Sequence, residues 1–348
     1  SLCNSVEELH SKRQVVDIPS IRPIISEYQR YRKCCQQCGH TQETDFPSGV
    51  TNNVQYGAGV EAAIAYFSIY QSLPYRRLAE CLKHYFNLDI SEGSINNMLT
   101  RIASKAMPVY NHIKEKVAES HHIGSDETSV KVGGDKWWIW VWQTLNYTYL
   151  SSSKSRGSIT IETEFPNGLP NTILSSDRWA AQIKTPALAH QFCTAHLLRD
   201  LKYLEELEKS QWSIKMKQLI KDALDFKSRK SHYSRTDDEA IKIEQRFDAL
   251  LQEHIPKETQ PKSLTLQKKF ITHRNSIFVF LYNADTPPDN NASERAIRNV
   301  KVKQKVSGQF IVGQQIFCIL RSVIDTCIKQ SIDIVDALTE IAHFQPAE

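Results

Sequence analysis

A chain of 348 residues, 41% apolar and 24% charged, can build a sizeable core and more than one domain, which excludes a disordered segment. Its net charge of +4 is too small to mark a nucleic-acid binder by itself, so any basic surface has to be found locally. The longest apolar runs, WWIWVW and IFVFLY, are strand-sized and far short of the ~20 residues of a membrane span. With no secretory leader in view, the eight cysteines are expected mostly as buried thiols of a cytoplasmic protein.

Residues 11–56 read as short strands and turns, RQVVDIP and IISEYQRYRKC among them, punctuated by Pro and Gly. Within this stretch Cys35 and Cys38 have the knuckle spacing that points two thiolates at one tetrahedral zinc ion. One such pair is half a site, and Cys3 is the sole cysteine upstream of the CCQQC run. From Gly59 to about Ser120 apolar residues recur at three and four, which predicts helices. There, YRRLAECLKHYF, a short turn over Asn87–Ile90, an N-cap at Ser91 and a second helix suit either a helix-turn-helix module or a plain helical hairpin. Ser94, Asn96, Asn97, Thr100 and Arg101 on the second helix could touch DNA or simply form a solvated face.

At His121 the pattern turns to β. HHIGSDETSVKV, a Gly133-Gly134-Asp135 turn, WWIWVWQTL and YTYLSS predict three consecutive antiparallel strands. Asp126 stands in the middle of the first, where an acidic residue is a poor strand former and asks for a reason; an acid on a solvated edge strand is the plain alternative. A second acid, Asp177, ends the short apolar strand of NTILSSDRWAAQIK, the position at which α/β folds place functional groups. In HQFCTAHLLRDLKYLEELEK a strand leads into a long helix, with Cys193 and His196 three apart at the junction. No other ligand lies near these two in sequence, so a zinc site from them alone is not expected; His196 should orient a neighbour or meet substrate, and Cys193 should pack. Leu197 to about Phe280 reads as almost wholly helical and charged, an insertion or separate layer.

The stretch PPDNNASERAIRNVKVKQK then places Glu294 at the top of a helix that Ser293 or Asn291 can cap, followed by Arg295, Arg298, Lys301, Lys303 and Lys305. Two strand-borne aspartates and a helical glutamate, brought together, form the hard-oxygen set that binds two divalent cations (Mg2+ or Mn2+) and leaves positions for phosphate and water. Without cations the three would repel one another. The basic residues beyond Glu294, together with Arg178, supply the neutralising charge that a phosphodiester backbone needs beside such a centre.

HIGSDET, SDRWAA, HQFCTAHLLRDL and PPDNNASERAIRNVKVKQKVSGQF resemble the transposases of the insertion sequence 66 family, a bacterial branch of the DDE transposases, and the resemblance covers nearly the whole chain. It implies an α/β fold with a ribonuclease H-like mixed sheet and a large helical insertion, preceded by a small zinc-ribbon-like segment and a helical, helix-turn-helix-like domain. It implies that Asp126, Asp177 and Glu294 are the DDE triad, that Cys193 and His196 match the family's Cys-x-x-His motif, and that Cys35 and Cys38 are the second half of a zinc module. The expected division is residues 1–56 zinc-binding and β-rich, 57–120 helical, 121–196 first part of the catalytic core, 197–280 insertion, 281–312 second part of the core, and 313–348 C-terminal helices. After Gln309-Phe310 the family continues with an Arg-Ser pair and a longer loop, whereas this chain reads Ile311-Val312-Gly313. The expected activity is metal-dependent cleavage at transposon ends and strand transfer into target double-stranded DNA by a homo-oligomer. The alternatives are an inactive DNA-binding protein on the same scaffold and a nuclease that never joins strands.

Overall fold

The computed structural model describes residues 9–230, 233–234, 236–310 and 313–344; Cys3, Ile311 and Val312 lie outside them. At the amino-terminal end β1 (Arg32–Cys34) pairs antiparallel with β2 (Thr41–Glu43), because the Cys-Gln-Gln-Cys-Gly run reverses the chain between them. Gly39 closes that turn at a φ of +71°, a conformation that costs glycine little. The expected strand over RQVVDIP is not formed, and of IISEYQRYRKC only the end, Arg32–Cys34, is a strand. Val15, Val16, Ile24 and Ile25 are exposed there, and an extended segment without a partner strand leaves its amides to water.

The helical stretch is α1 (Ala58–Ala65), continued by a π-helical turn over Tyr66–Tyr70, then α2 (Tyr75–Phe86), α3 (Glu92–Lys105) and α4 (Met107–Ala118). Asn87 leaves α2 at a φ of +53°, and Ser91 Oγ accepts from the Ser94 amide at 3.1 Å to start α3. The chain divides into two compact units, Ser1–Gln55 with Tyr75–Ile95 and Tyr56–Pro74 with Asn96–Glu348, the boundary falling inside α3.

The second unit is a mixed α/β structure around a five-stranded sheet. Its strands are β3 (His122–Val132), β4 (Asp135–Gln143) and β5 (Thr148–Ser153), then, after α5 (Ser158–Glu164), β6 (Leu169–Ser176), and after α6 (Ala180–Ile183), β7 (Ala187–Phe192). The order is β5-β4-β3-β6-β7, with the β3–β4 and β4–β5 pairs antiparallel and the β3–β6 and β6–β7 pairs parallel. Asp126 is therefore on the central strand, not on an edge. Trp140 and Trp142 stack at 5.8 Å on one face, and Trp142 meets Phe165 edge-on, which fills that side of the sheet with aromatic surface.

Four long helices follow, α7 (Thr194–Glu208), α8 (Gln211–Arg229), α9 (Asp238–Leu251) and α10 (Pro261–Thr272), and they close an apolar core of their own around Trp212, Phe226, Phe247 and Phe270. The same core takes in Phe192 of β7 and Phe278 and Phe280 beyond α10, so the helical layer packs onto the last strand of the sheet. Gln260, the N-cap of α10, makes no side-chain cap, and Glu208 does the work from the end of α7. Its carboxylate accepts from the Lys262 amide at 2.8 Å and from the Ser263 amide and hydroxyl at 2.9 and 2.6 Å. Replacing Glu208 with alanine orphans these first-turn donors and should cost about 1–2 kcal/mol, read as a lower urea midpoint at unchanged slope.

The insertion ends against the sheet. Gln191 of β7 donates to the Ile277 carbonyl at 2.9 Å and accepts from the Phe280 amide at 3.0 Å, which returns the chain to the strand it left. From there run α11 (Asn291–Ser307), α12 (Gln314–Lys329) and α13 (Ile334–His343). β5 is an edge strand, and α12 covers it: Ser322 and Thr326 hydroxyls accept from the Leu150 and Thr148 amides at 2.9 and 3.1 Å. Among the described residues no helix is long and apolar enough to cross a membrane.

Candidate active site

Side chains alternate along β3, and its register with β4 sets Gly124, Asp126 and Thr128 on one face beside Gln143, Val141 and Ile139. Ser125 and Glu127 point the other way, where Gln182 of α6 donates to both at 3.2 Å. Glu127 is buried and held by Arg156, at 2.8 Å from Nη2 and 2.9 Å from Nε. Burial raises the Glu127 carboxyl, and the Arg156 hydrogen bond works against that rise. Arg156 also stacks over Trp179 at 3.6 Å and accepts from its indole through the backbone carbonyl at 3.0 Å. The strand carrying Asp126 is thereby tied to the loop carrying Asp177.

Asp177 is the first residue beyond β6, and its Oδ1 is buried without a hydrogen-bond partner. The next residue, Arg178, has a φ of +74°, an unfavourable backbone for a side chain of this size. Its guanidinium is ion-paired to Asp200 at 2.6 Å, so the strained loop is anchored on α7.

Glu294 reaches the same place through a chain of short contacts. The Cys193 amide extends the parallel ladder to the Ser176 carbonyl at 2.9 Å, and the Thr194 amide donates to Pro288 O at 3.0 Å. The Asn290 amide donates to Cys193 Sγ at 3.2 Å, and its side-chain amide donates to the Ser125 carbonyl at 2.7 Å. The helix thus begins at Asn291 with Asn290 as N-cap, and not with a cap from Ser293 or Asn291: Ser293 sits in the first turn and donates to Asn290 Oδ1 at 2.7 Å. Gly124 makes this docking feasible. A Cβ there would stand 2.6 Å from Ser293 Oγ, 2.7 Å from Asn290 Oδ1 and 2.6 Å from Gln143 Nε2.

The structure brings Asp126, Asp177 and Glu294 into one electrostatic neighbourhood. Burial, then the charge of Asp177 and more weakly that of Glu294, pushes Asp126 up to about 7, while the Glu127 amide, donating at 2.8 Å, opposes the rise. His196, in the first turn of α7, feels both Asp177 and Glu294, but burial and the neighbouring Arg199 lower its pKa. Its Nδ1 lies 3.6 Å from Glu294 Oε1, too far for a hydrogen bond, and both atoms are buried without partners. Arg199 stands 3.5 Å from the same carboxylate oxygen. Buried oxygens of Asp177 and Glu294 without hydrogen-bond partners, beside a raised Asp126 carboxyl, have the donor chemistry of hard divalent cations. Among the described residues, the group whose ligand atoms all come within 4.8 Å of one another is Cys193, His196 and Glu294. The fold thus brings Glu294 beside the Cys-x-x-His pair, a neighbour that sequence proximity does not reveal.

The basic residues of α11 divide by face. Arg295, Arg298 and Lys305 are exposed, whereas Lys303 is buried and donates to the Ser68 carbonyl at 3.0 Å, and half-buried Lys301 donates to Ser129 O at 2.8 Å. Burial lowers the Lys303 ammonium to about 8. Its place in the buried stripe with Ala296 and Val300 follows the four-and-three spacing of a helix, a signal available in the sequence. On α3, Arg101 donates to the buried Glu61 at 2.6 Å.

In the first unit Cys34, Cys35 and Cys38 are exposed free thiols. The Cys35 thiol is held below its ordinary value by the amides of Cys38 and Gln37 and by a hydrogen bond with the Cys38 side chain. Amides directed at a sulfur suit a thiolate ligand, so Cys35 and Cys38 fit two of the four donors of a zinc site.

The mixed sheet carries Asp126 on its central strand and Asp177 just beyond a strand end, and Glu294 lies in the first turn of α11. The family model described as "Transposase IS66 family" matches residues 53–313, and the chain belongs to that family. It is accordingly a transposase by family, and transposases bind DNA. No curated protein matches it.

Proposed function

We propose that the chain is a DDE transposase with a ribonuclease H-like core that cleaves phosphodiester bonds at transposon ends and joins the freed 3′-hydroxyl to target DNA. What supports this reading is that Asp126, Asp177 and Glu294 come from three separate elements yet the charges of Asp177 and Glu294 both raise the Asp126 carboxyl, with buried oxygens on Asp177 and Glu294 left without hydrogen-bond partners. The strand order, three antiparallel strands followed by two parallel ones, agrees with such a core. Asp126, Asp177 and Glu294 would hold magnesium or manganese, which when bound activates a water or 3′-hydroxyl and stabilises the leaving oxygen. The chain's own contribution is position. β3 and the Glu127–Arg156–Trp179 stack fix the two aspartates, while Asn290, Ser293 and Cys193 fix the glutamate. His196, whose imidazole burial and Arg199 hold below its ordinary value, feels the charges of Asp177 and Glu294 and has a buried Nδ1 without a hydrogen-bond partner. Arg295, Arg298 and Lys305 line the exposed face of α11 and would meet phosphates; Arg178 acts through its grip on Asp200. Cys35 and Cys38 would hold zinc in the first unit, and α2–α3 would contact DNA.

The testing experiment mixes the purified chain, magnesium, a target plasmid and a duplex ending in a pre-cut 3′-hydroxyl from the element that encodes it. A joined product that vanishes with chelator is expected. Retained DNA binding without joining or cleavage would replace this reading with that of a DNA-binding protein, and cleavage without joining with that of a nuclease.

Gly124 supplies a second test. Gly124→Ala puts a methyl group against two short, buried side chains that cannot swing away, which should cost about 1–3 kcal/mol in overpacking. Relief of that clash moves the first turn of α11, and a displacement of Glu294 of order 1 Å should slow strand transfer by about 10²-fold while DNA binding is kept. Wild-type joining by the alanine variant would show that the close approach at Gly124 does not position Glu294.

A further inference from the structure

We propose that Cys193, His196 and Glu294 form a binding site for a borderline-soft divalent cation of the zinc class, through Cys193 Sγ, His196 Nδ1 and Glu294 Oε1, distinct in chemistry from the all-carboxylate set it adjoins.

Three observations carry it. The donors are one sulfur, one imidazole nitrogen and one carboxylate oxygen, the ligand types zinc takes and magnesium avoids when sulfur is among them, and all lie within 4.8 Å of one another. Two ligands about 2.1 Å from a tetrahedral centre stand about 3.4 Å apart, and His196 Nδ1 and Glu294 Oε1 are separated by 3.6 Å. That spacing is too long for a hydrogen bond and close to what a shared ion requires. Both atoms are also buried without a hydrogen-bond partner, which costs free energy unless something meets them.

The surroundings suit a metal-bound thiolate. Cys193 is the N-cap of α7, where its sulfur accepts from the Asn290 amide at 3.2 Å and faces the amides of His196 and Ala195. Burial keeps the thiol protonated in the absence of a cation, and the amides oppose that by favouring the thiolate. The positive groups nearby are Arg199, which pairs with Glu294 Oε1 at 3.5 Å, donates to the Ala195 carbonyl at 3.4 Å and would yield that oxygen to an ion, and Arg178, which is paired to Asp200. The fourth coordination position would be open to water, as in zinc sites with three protein ligands.

Glu294 belongs to both sets, so an ion held by Cys193 and His196 would withdraw it from Asp126 and Asp177. Loading of this site would then hold the proposed strand-transfer centre incomplete. This consequence rests on the function proposed above; the binding site itself does not.

The test is cobalt titration of the full-length chain carrying Cys34→Ser, Cys35→Ser and Cys38→Ser, which removes the thiols of the first unit as competitors. A near-ultraviolet thiolate-to-cobalt charge-transfer band saturating at one equivalent is expected. Zinc should displace the cobalt, Cys193→Ser should abolish the band, and His196→Ala, which keeps the thiol, should weaken cobalt binding by at least about tenfold. No band in the background chain, a band that survives Cys193→Ser, or His196→Ala affinity equal to that of the background chain would overturn the proposal. None of these readouts depends on DNA cleavage, so failure of the transposase reading and failure of the site are told apart.

Discussion

Asp177→Asn is expected to reduce end cleavage and strand transfer by at least about 10³-fold while leaving DNA affinity within about twofold of wild type. The substitution preserves the shape of the residue that follows β6 and removes only a charge. Asp177 Oδ1 has no hydrogen-bond partner in the folded chain, so an amide there breaks no contact and the fold should keep its stability. What it removes is one of the oxygens that a hard cation would bind. Asp126→Asn and Glu294→Gln should behave alike, and the three losses should not add, since a site missing one member has already lost the function of the set. The check is single-turnover cleavage beside filter binding on the same duplex. A variant that loses binding in parallel with cleavage would mean that Asp177 supports the DNA interface rather than the chemistry, and wild-type cleavage by Asp177→Asn would remove it from the site.

How far the sequence alone leads can be judged from these same residues. Asp126 is legible because a carboxylate inside a strand of apolar and β-branched residues is anomalous, and Asp177 because it closes an apolar strand. That β3 is the central strand is not legible, since strand order is set by the crossovers through α5 and α6 and leaves no local pattern. Glu294 is visible at a helix start, but the means of bringing it home is not. Gly124, Asn290 and Cys193 act through contacts between segments far apart in the chain, and each looks locally like an ordinary turn or packing residue. The same holds for Glu127, Arg156 and Trp179, whose stack exists only once β3, the α5 approach and the Asp177 loop are assembled. The errors have physical causes as well. RQVVDIP has strand composition but no strand to pair with. Lys303 reads as one of a string of cations, yet helical periodicity sets it on the buried stripe of α11, where a backbone carbonyl takes the place of a phosphate.

Asp126 offers a second large effect, on stability. Its carboxyl is raised to about 7 by burial and by Asp177, against an ordinary value of 3.8. A group with a raised folded-state pKa stabilises the fold below its unfolded pKa and loses that contribution as pH rises through the folded one, because the unfolded chain then gives up its proton more readily. In metal-free protein, wild type should accordingly lose stability between about pH 4 and pH 7 through this residue. Asp126→Asn cannot ionise and should escape the loss. Its stability advantage over wild type should grow by about 2–3 kcal/mol between about pH 5 and pH 8.5, or about 3–4 °C in melting temperature for a chain of this size. Groups that do not feel Asp126 titrate alike in both proteins and cancel in the difference, and Asp177, Glu127 and Glu294, relieved of its repulsion in the variant, add to the advantage at high pH. Magnesium should reverse the order at high pH, since a cation that binds the ionised Asp126 stabilises wild type and finds one ligand fewer in the variant. Paired thermal melts at the two pH values, with chelator and with magnesium, measure all four terms. An advantage that does not change with pH would mean that Asp126 ionises as freely in the fold as in water, and an order that magnesium leaves untouched would mean that Asp126 takes no part in binding the cation.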